Sequence, residues 1–122
     1  MKRAILAVMV IISAVSLVIV TAAFRPRSAT PPRVIKVTAK QFEFSPSQIT
    51  VKKNEAVIIE LTSTDREHGF RLRAFNVRAD VKPGQPARVS FTPDKAGSFT
   101  FSCDVFCGSG HEDMEGTLVV TE

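Results

Sequence analysis

The sequence contains no tryptophan or tyrosine and only two cysteines, two histidines and three methionines. It has no internal repeat, which excludes a repeat architecture. No basic run is interleaved with aromatic residues, which argues against binding to nucleic acid. No cysteine lies near the N-terminus, which excludes a lipid-modified N-terminus. The few thiol, imidazole and thioether groups are therefore the residues whose positions carry most information.

Length and charge indicate one ordinary folded domain. The chain has 122 residues and a formal net charge of +4. Lys2 and Arg3 are two of the 16 Lys and Arg residues, so residues 25–122 contain the other 14, against 12 Asp and Glu. This near balance predicts a solvated surface of mixed charge.

The N-terminal segment predicts one transmembrane helix. Ala4–Phe24 is 21 residues long without a charge, and as a helix it would be about 31 Å long, which matches the hydrocarbon core of a bilayer. A cleaved signal peptide is the alternative, but its apolar core is usually shorter. Lys2 and Arg3 favour a cytoplasmic N-terminus, although Arg25 and Arg27 flank the other end. We therefore expect a single-pass protein of the cytoplasmic membrane, with its folded domain on the periplasmic or extracellular face.

Three regions follow from these patterns. Residues 1–24 are the anchor or signal segment. Residues 25–33, with the sequence RPRSATPPR, form a proline-rich linker. Residues 34–122 form the domain.

The apolar pattern of the domain has a period of two. Ile35, Val37 and Ala39 alternate with polar neighbours, and turn signals such as Lys82–Pro86 recur about every ten residues. Short strands with this spacing predict an all-β sandwich. Further strands are expected in the apolar stretch 56–61, in 88–91, in 98–103 with Phe99, Phe101 and Cys103 on one face, and in 116–121 with Leu118 and Val120 on one face.

A metal-binding pattern occupies the segment Cys103-Asp-Val-Phe-Cys107-Gly-Ser-Gly-His111-Glu-Asp-Met114. It lies between two predicted strands, in a loop at one end of the sandwich. His68 follows a polar stretch after another strand, so two loops can bring these donors together. Thiolate and thioether select copper(I), and imidazole suits copper in either oxidation state. The second cysteine favours two coppers bridged by both thiolates, with His68 and His111 as terminal ligands.

Other interpretations of the same residues remain open. In an oxidising compartment the two cysteines could form a short-loop disulfide, and a Cys₂His₂ set also suits structural zinc. We favour copper because Met114 is a poor zinc donor and a disulfide needs no His or Met beside it. A mononuclear blue-copper site with Cys107 as its only thiolate, and a copper(I) storage or delivery protein, are further alternatives.

The ligand segment resembles the copper A domain of subunit II of haem-copper oxidases, a domain that is also found in nitrous oxide reductase. The shared pattern is C-x-x-x-C-G-x-G-H-x-x-M-x-G, with D-x-x-H-G-F upstream. The resemblance runs from about Asp65 onward and is closest to the short, single-anchor subunit II of B-type oxidases. It implies a cupredoxin-like Greek-key β-sandwich and one-electron transfer through a binuclear mixed-valence copper centre.

Residue by residue, the resemblance implies bridging thiolates at Cys103 and Cys107 and terminal imidazoles at His68 and His111. It also implies two axial donors, the thioether of Met114 and the backbone oxygen of Val105. Many members of the family have an acidic side chain in place of Val105, which links copper A to a magnesium site in the partner subunit. They also use Trp or Tyr for electron entry, and this chain has neither.

The implied partners are a cytochrome c, an oxidase subunit I, and a copper chaperone and a thiol reductant for assembly. The chain is either the electron-entry subunit of an oxidase or a free-standing anchored copper A protein, and it is not catalytic alone. The acidic residues Asp104, Glu112, Asp113 and Glu115 are interpreted either as a docking patch for a basic cytochrome or as a solvated loop.

We expect Phe101 and Phe106 to keep water away from the metal site. Core packing is the other interpretation of Phe101, and it also applies to Phe99.

Overall fold

A computed structural model describes residues 30–122 of the chain. Nine strands and two short 3₁₀ helices (Arg73–Phe75 and His111–Asp113) make up this part. The strands are β1 (Arg33–Lys40), β2 (Glu43–Ser45), β3 (Gln48–Lys52), β4 (Val57–Ser63), β5 (His68–Leu72), β6 (Val77–Val81), β7 (Ala87–Phe91), β8 (Gly97–Ser102) and β9 (Glu115–Thr121). The predicted all-β sandwich is confirmed, and the predicted domain boundary at residue 34 lies one residue inside β1.

Two sheets form the sandwich. One has four strands in the order β2-β1-β4-β7, and the other has five in the order β3-β9-β8-β5-β6. Most neighbours are antiparallel, but β1 pairs in parallel with β4 and β3 pairs in parallel with β9. In β9 the buried residues Leu118 and Val120 alternate with more exposed neighbours, as the sequence predicts.

The core lies between the inner faces of the two sheets. Three fully buried rings meet there: the centroids of Phe44, Phe70 and Phe101 are 5.1–5.9 Å apart. Edge-on and tilted arrangements of this kind are favourable for aromatic pairs. Gly116 is required beside this cluster, because a Cβ at this position would overlap the Phe101 ring.

The hairpin formed by β5 and β6 is not predicted by the apolar pattern. His68, Phe70 and Leu72 are buried along β5, while Arg71 is exposed, so the period of two is present. The signal is weak because one inward position is a histidine and because glycine, here Gly69, is disfavoured in strands. A turn through Asn76, which has a left-handed φ of 54°, connects the two strands.

The predicted N-terminal helix, residues 1–24, lies outside the described residues. Within residues 30–122, no helix is long and apolar enough to cross a bilayer.

The orientation of β1 leads to a stability prediction. Val37 is 1% exposed and Val34 on the same strand is 50% exposed. Val37→Ala removes two buried methyl groups and should lower the free energy of unfolding by about 2 kcal/mol. The matched change Val34→Ala should alter it by less than about 0.5 kcal/mol. Denaturant titration measures both values, and equal losses would contradict the described orientation of β1.

Candidate metal centre

Two segments at one end of the sandwich contain the candidate ligands. His68 is the first residue of β5, and Cys103–Met114 connects β8 to β9. The Cys103 amide donates a hydrogen bond of 3.0 Å to the Met114 carbonyl, which closes the base of this connection. We call residues 103–114 the ligand loop.

The structure brings all six sequence-predicted ligand residues together. The Cys103 Sγ lies 4.0 Å from His68 Nδ1 and donates to the Val105 carbonyl at 3.1 Å. The Cys107 Sγ lies 3.6 Å from His111 Nδ1 and 3.8 Å from Met114 Sδ. Each sulfur thus has one imidazole nitrogen and one weak donor beside it. We call these the Cys103 half-site and the Cys107 half-site.

The two half-sites share a common centre. The donor atoms of His68, Cys103 and Cys107 all lie within 4.8 Å of one another. Both cysteines are free and buried. The soft character and close spacing of these sulfur and nitrogen atoms fit copper.

The Cys107 thiol holds its proton strongly. Burial raises its pKa, and the electrostatic interaction and the hydrogen bond with Cys103 raise it further, to about 11. Only a thiolate coordinates a metal, so metal binding must displace this proton.

Asp65 fixes the orientation of the His68 ring. The Nε2 atom of His68 lies 2.7 Å from Asp65 Oδ1, and Nδ1 faces the Cys103 sulfur. A proton on Nε2 therefore leaves a lone pair on Nδ1. Burial raises the pKa of the Asp65 carboxyl, but hydrogen bonds from the Gln41 amide, the His68 ring and the Arg66 amide outweigh it and lower the pKa to about 2.

A 3₁₀ turn places the other two ligands on one side. His111 and Met114 are three residues apart, and side chains at this spacing eclipse each other in a 3₁₀ helix. The Met114 amide donates to the His111 carbonyl at 3.1 Å, and the His111 amide donates to the Gly108 carbonyl at 3.1 Å. Gly108 has a φ of 135°, which favours glycine.

The Cys103 side of the ligand loop is fixed by an ion pair. Asp104 accepts hydrogen bonds from Arg78 Nε at 2.5 Å and from Arg78 Nη2 at 3.1 Å. Next to it, the Gly69 amide points at the Cys103 sulfur at 3.4 Å. A Cβ on Gly69 would overlap the Asp104 carboxylate in the position where Arg78 holds it.

Two sequence-based interpretations need correction. Phe101 is fully buried, but Phe106 is 74% exposed, and its ring is tilted by 54° against the His111 ring with centroids 5.8 Å apart. Phe106 therefore does not shield the site from water. Asp104 is half-buried and forms an ion pair with Arg78, so its charge is not free to bind a partner protein. The other three acidic residues of the proposed docking patch are exposed.

Sequence reasoning did not find the contribution of Gln41. Its backbone amide donates to Asp65 Oδ2 at 2.7 Å, and its side-chain amide donates to the Cys107 carbonyl. Nothing in the sequence around an exposed glutamine signals such contacts.

Comparisons with known proteins show the family to which the chain belongs. A family model described as a cupredoxin-like domain matches residues 7–120. Cytochrome c oxidase subunit 2 of Thermus thermophilus is 34% identical over 88 residues, which are 72% of this chain and 65% of that protein. The chain thus spans less than two thirds of the length of this relative.

Solved structures show the same fold. The periplasmic domain of subunit II of cytochrome oxidase of Bradyrhizobium japonicum superposes with a TM-score of 0.70 at 24% identity, over 77% of this chain and 87% of that chain. A structure of the mixed disulfide intermediate between a thioredoxin-like protein and subunit II of cytochrome c oxidase superposes with a TM-score of 0.63 at 25% identity, over 77% of this chain and 86% of that chain. The resemblance to oxidase subunit II is confirmed, and the chain belongs to the cupredoxin-like domain family.

Proposed function

We propose that this domain transfers single electrons through a pair of copper ions bridged by the Cys103 and Cys107 thiolates. The observation that carries the proposal is the division of the donors into two half-sites around a shared centre. Each half-site offers one sulfur, one imidazole nitrogen and one weak donor. Sulfur atoms this close can each contact both ions.

The other proposed ligands surround the two thiolates. His68, His111, Met114 and the Val105 carbonyl would complete the coordination of the copper pair. A single ion on Cys107 alone would leave a second buried thiol, Cys103, without a role beside His68. For this reason we prefer a copper pair to a mononuclear site.

The copper pair, when bound, supplies reversible uptake and release of one electron shared between two ions. The protein holds the donors still, because His68 belongs to β5 and the ligand loop directly joins the paired strands β8 and β9. Burial of both sulfurs excludes water from them. A rigid and dry donor set changes little on electron transfer, which keeps the barrier low at small driving force.

We also propose the setting in which this domain works. It is subunit II of a cytochrome c oxidase or an anchored carrier similar to it, held by residues 1–24 with the copper domain on the periplasmic or extracellular face. The proposed partners are a cytochrome c donor, an oxidase subunit I, a copper chaperone and a thiol reductant. The relative caught in a mixed disulfide with a thioredoxin-like protein supports the thiol reductant.

Electron paramagnetic resonance on the copper-loaded full chain tests the copper pair. We expect two coppers per chain and hyperfine structure from one electron shared equally by two copper nuclei. Cys103→Ser and Cys107→Ser should both abolish this signal, because each thiolate is a bridge. One copper per chain, with Cys103→Ser still coloured, would instead support the mononuclear site.

The Asp65–His68 contact makes a prediction about affinity. Asp65→Ala removes the group that orients the His68 ring and should weaken copper binding roughly 10- to 100-fold. Asp94→Ala is the matched control, since Asp94 is exposed between β7 and β8 and takes part in none of the hydrogen bonds around the ligands. Competition with a copper chelator gives both affinities. An equal loss in the two variants would rule out this orienting role.

Copper loading should depend on the redox state of the thiols. The two sulfurs lie within 4.8 Å, so a two-electron oxidant can join them as a disulfide, which cannot bridge metal ions. Chain oxidised in this way should take up copper only after a dithiol reductant restores both thiols. Copper content and a thiol assay follow the process, and full loading of the oxidised chain would contradict the bridging role.

A further inference from the structure

The turn between β1 and β2 contacts both segments that contain the proposed ligands. Gln41 lies in this turn and is exposed. Its backbone amide donates to Asp65 Oδ2 at 2.7 Å, and the other oxygen of the same carboxylate holds His68. Its side chain donates to the carbonyl of Cys107, whose sulfur faces His111. One residue therefore connects the two half-sites.

The contact between the Gln41 side chain and the Cys107 carbonyl requires a hydrogen-bond donor on the side chain. A backbone carbonyl only accepts hydrogen bonds, so the NH₂ group of the Gln41 amide must face it. A glutamate at this position has nearly the same shape but only acceptors when ionised. A methionine keeps the length without a donor. Each substitution at position 41 thus removes the bond to Cys107 and leaves the backbone bond to Asp65 in place.

The rest of the turn is held firmly enough for Gln41 to act as a tether. Before it, β1 pairs in parallel with β4 up to Ala39 and Ser63, and the Thr64 amide donates to the Ala39 carbonyl at 3.2 Å. After it, the Phe42 ring lies over the ligand loop, where a Cβ on Gly108 or Gly110 would overlap it. The turn is therefore anchored to the β1–β4 pair on one side and packs on the ligand loop on the other.

We infer that Gln41 is a positioning residue, which fixes the spacing between the Cys103 and Cys107 half-sites by tying the Cys107 carbonyl to the Asp65–His68 pair. Gln41 provides none of the proposed ligand atoms. Its effect on copper rests on the proposed function, whereas its effect on the metal-free ligand loop does not.

Amide hydrogen exchange on the metal-free full chain is the first test. Loss of one neutral hydrogen bond corresponds to roughly a three- to tenfold change in a local opening equilibrium. Gln41→Met and Gln41→Glu should therefore speed exchange about three- to tenfold at His111, Asp113 and Met114, whose amides donate within the ligand loop. Gln85→Glu, in an exposed turn, makes the same charge change and should leave these rates unchanged.

Two results of the exchange test would overturn the inference. One is amide hydrogen exchange in the ligand loop at the wild-type rate in both Gln41 variants. The other is an equal acceleration over all strands, because that would report a general loss of stability. The result does not depend on whether the chain holds two coppers, one or none.

The copper-loaded protein gives a second test, which separates the tether from a merely structural role. If the Cys107 half-site shifts, the unpaired electron should be shared unequally, and the hyperfine structure of Gln41→Met should show two inequivalent copper nuclei. The Gln85→Glu variant should keep equal sharing. Equal sharing of the electron between the two coppers in the Gln41 variants would overturn the effect of Gln41 on the spacing of the half-sites. A single copper in the wild-type chain would overturn the proposed function. In that case the exchange test alone would decide whether Gln41 positions the ligand loop.

A double-mutant cycle tests the route through Asp65. If Gln41 acts by tying Cys107 to Asp65, then Gln41→Met should have a smaller effect on ligand-loop exchange in an Asp65→Ala background. Simple additivity of the two effects would contradict this route.

Discussion

The hydrogen bond from the Cys103 amide to the Met114 carbonyl closes the loop in which five of the six converging residues lie. Everything else about the site depends on this closure, because it sets where the loop leaves β8 and where it enters β9. Inside the loop, the spacing of four residues between the cysteines lets both sulfurs turn inward. The sixth residue, His68, comes from β5, which pairs with β8 in the same sheet.

The sequence predicts most of the sandwich because its strands alternate in polarity. Ile35, Val37 and Ala39 mark β1, and Leu118 and Val120 mark β9, since these five side chains face the core. The same rule fails for β5. There the inward row begins with a histidine that is buried because it faces the site, and its neighbour Gly69 is small because Asp104 lies against it. At these two positions the residues that suit the metal site stand in place of the apolar residues that would mark a strand.

The sequence also predicts which residues meet at the site, because soft donors are scarce in this chain and lie close together in the sequence. It does not predict how they are held. Gln41 lies 66 residues from Cys107 and 24 from Asp65, and contacts of that separation leave no trace in local periodicity. The exposure of Phe106 and the pairing of Asp104 with Arg78 likewise depend on where the ligand loop folds back, which only the tertiary structure determines.

The position of β9 inside its sheet has a consequence for biogenesis. This strand lies between β3 and β8, yet it follows both cysteines in chain order. Until β9 inserts between its two neighbours, the connection between Cys103 and Met114 stays open and the sulfurs lack their burial. A chain synthesised from its N-terminus therefore presents both thiols to solvent before the strand that completes their burial is available.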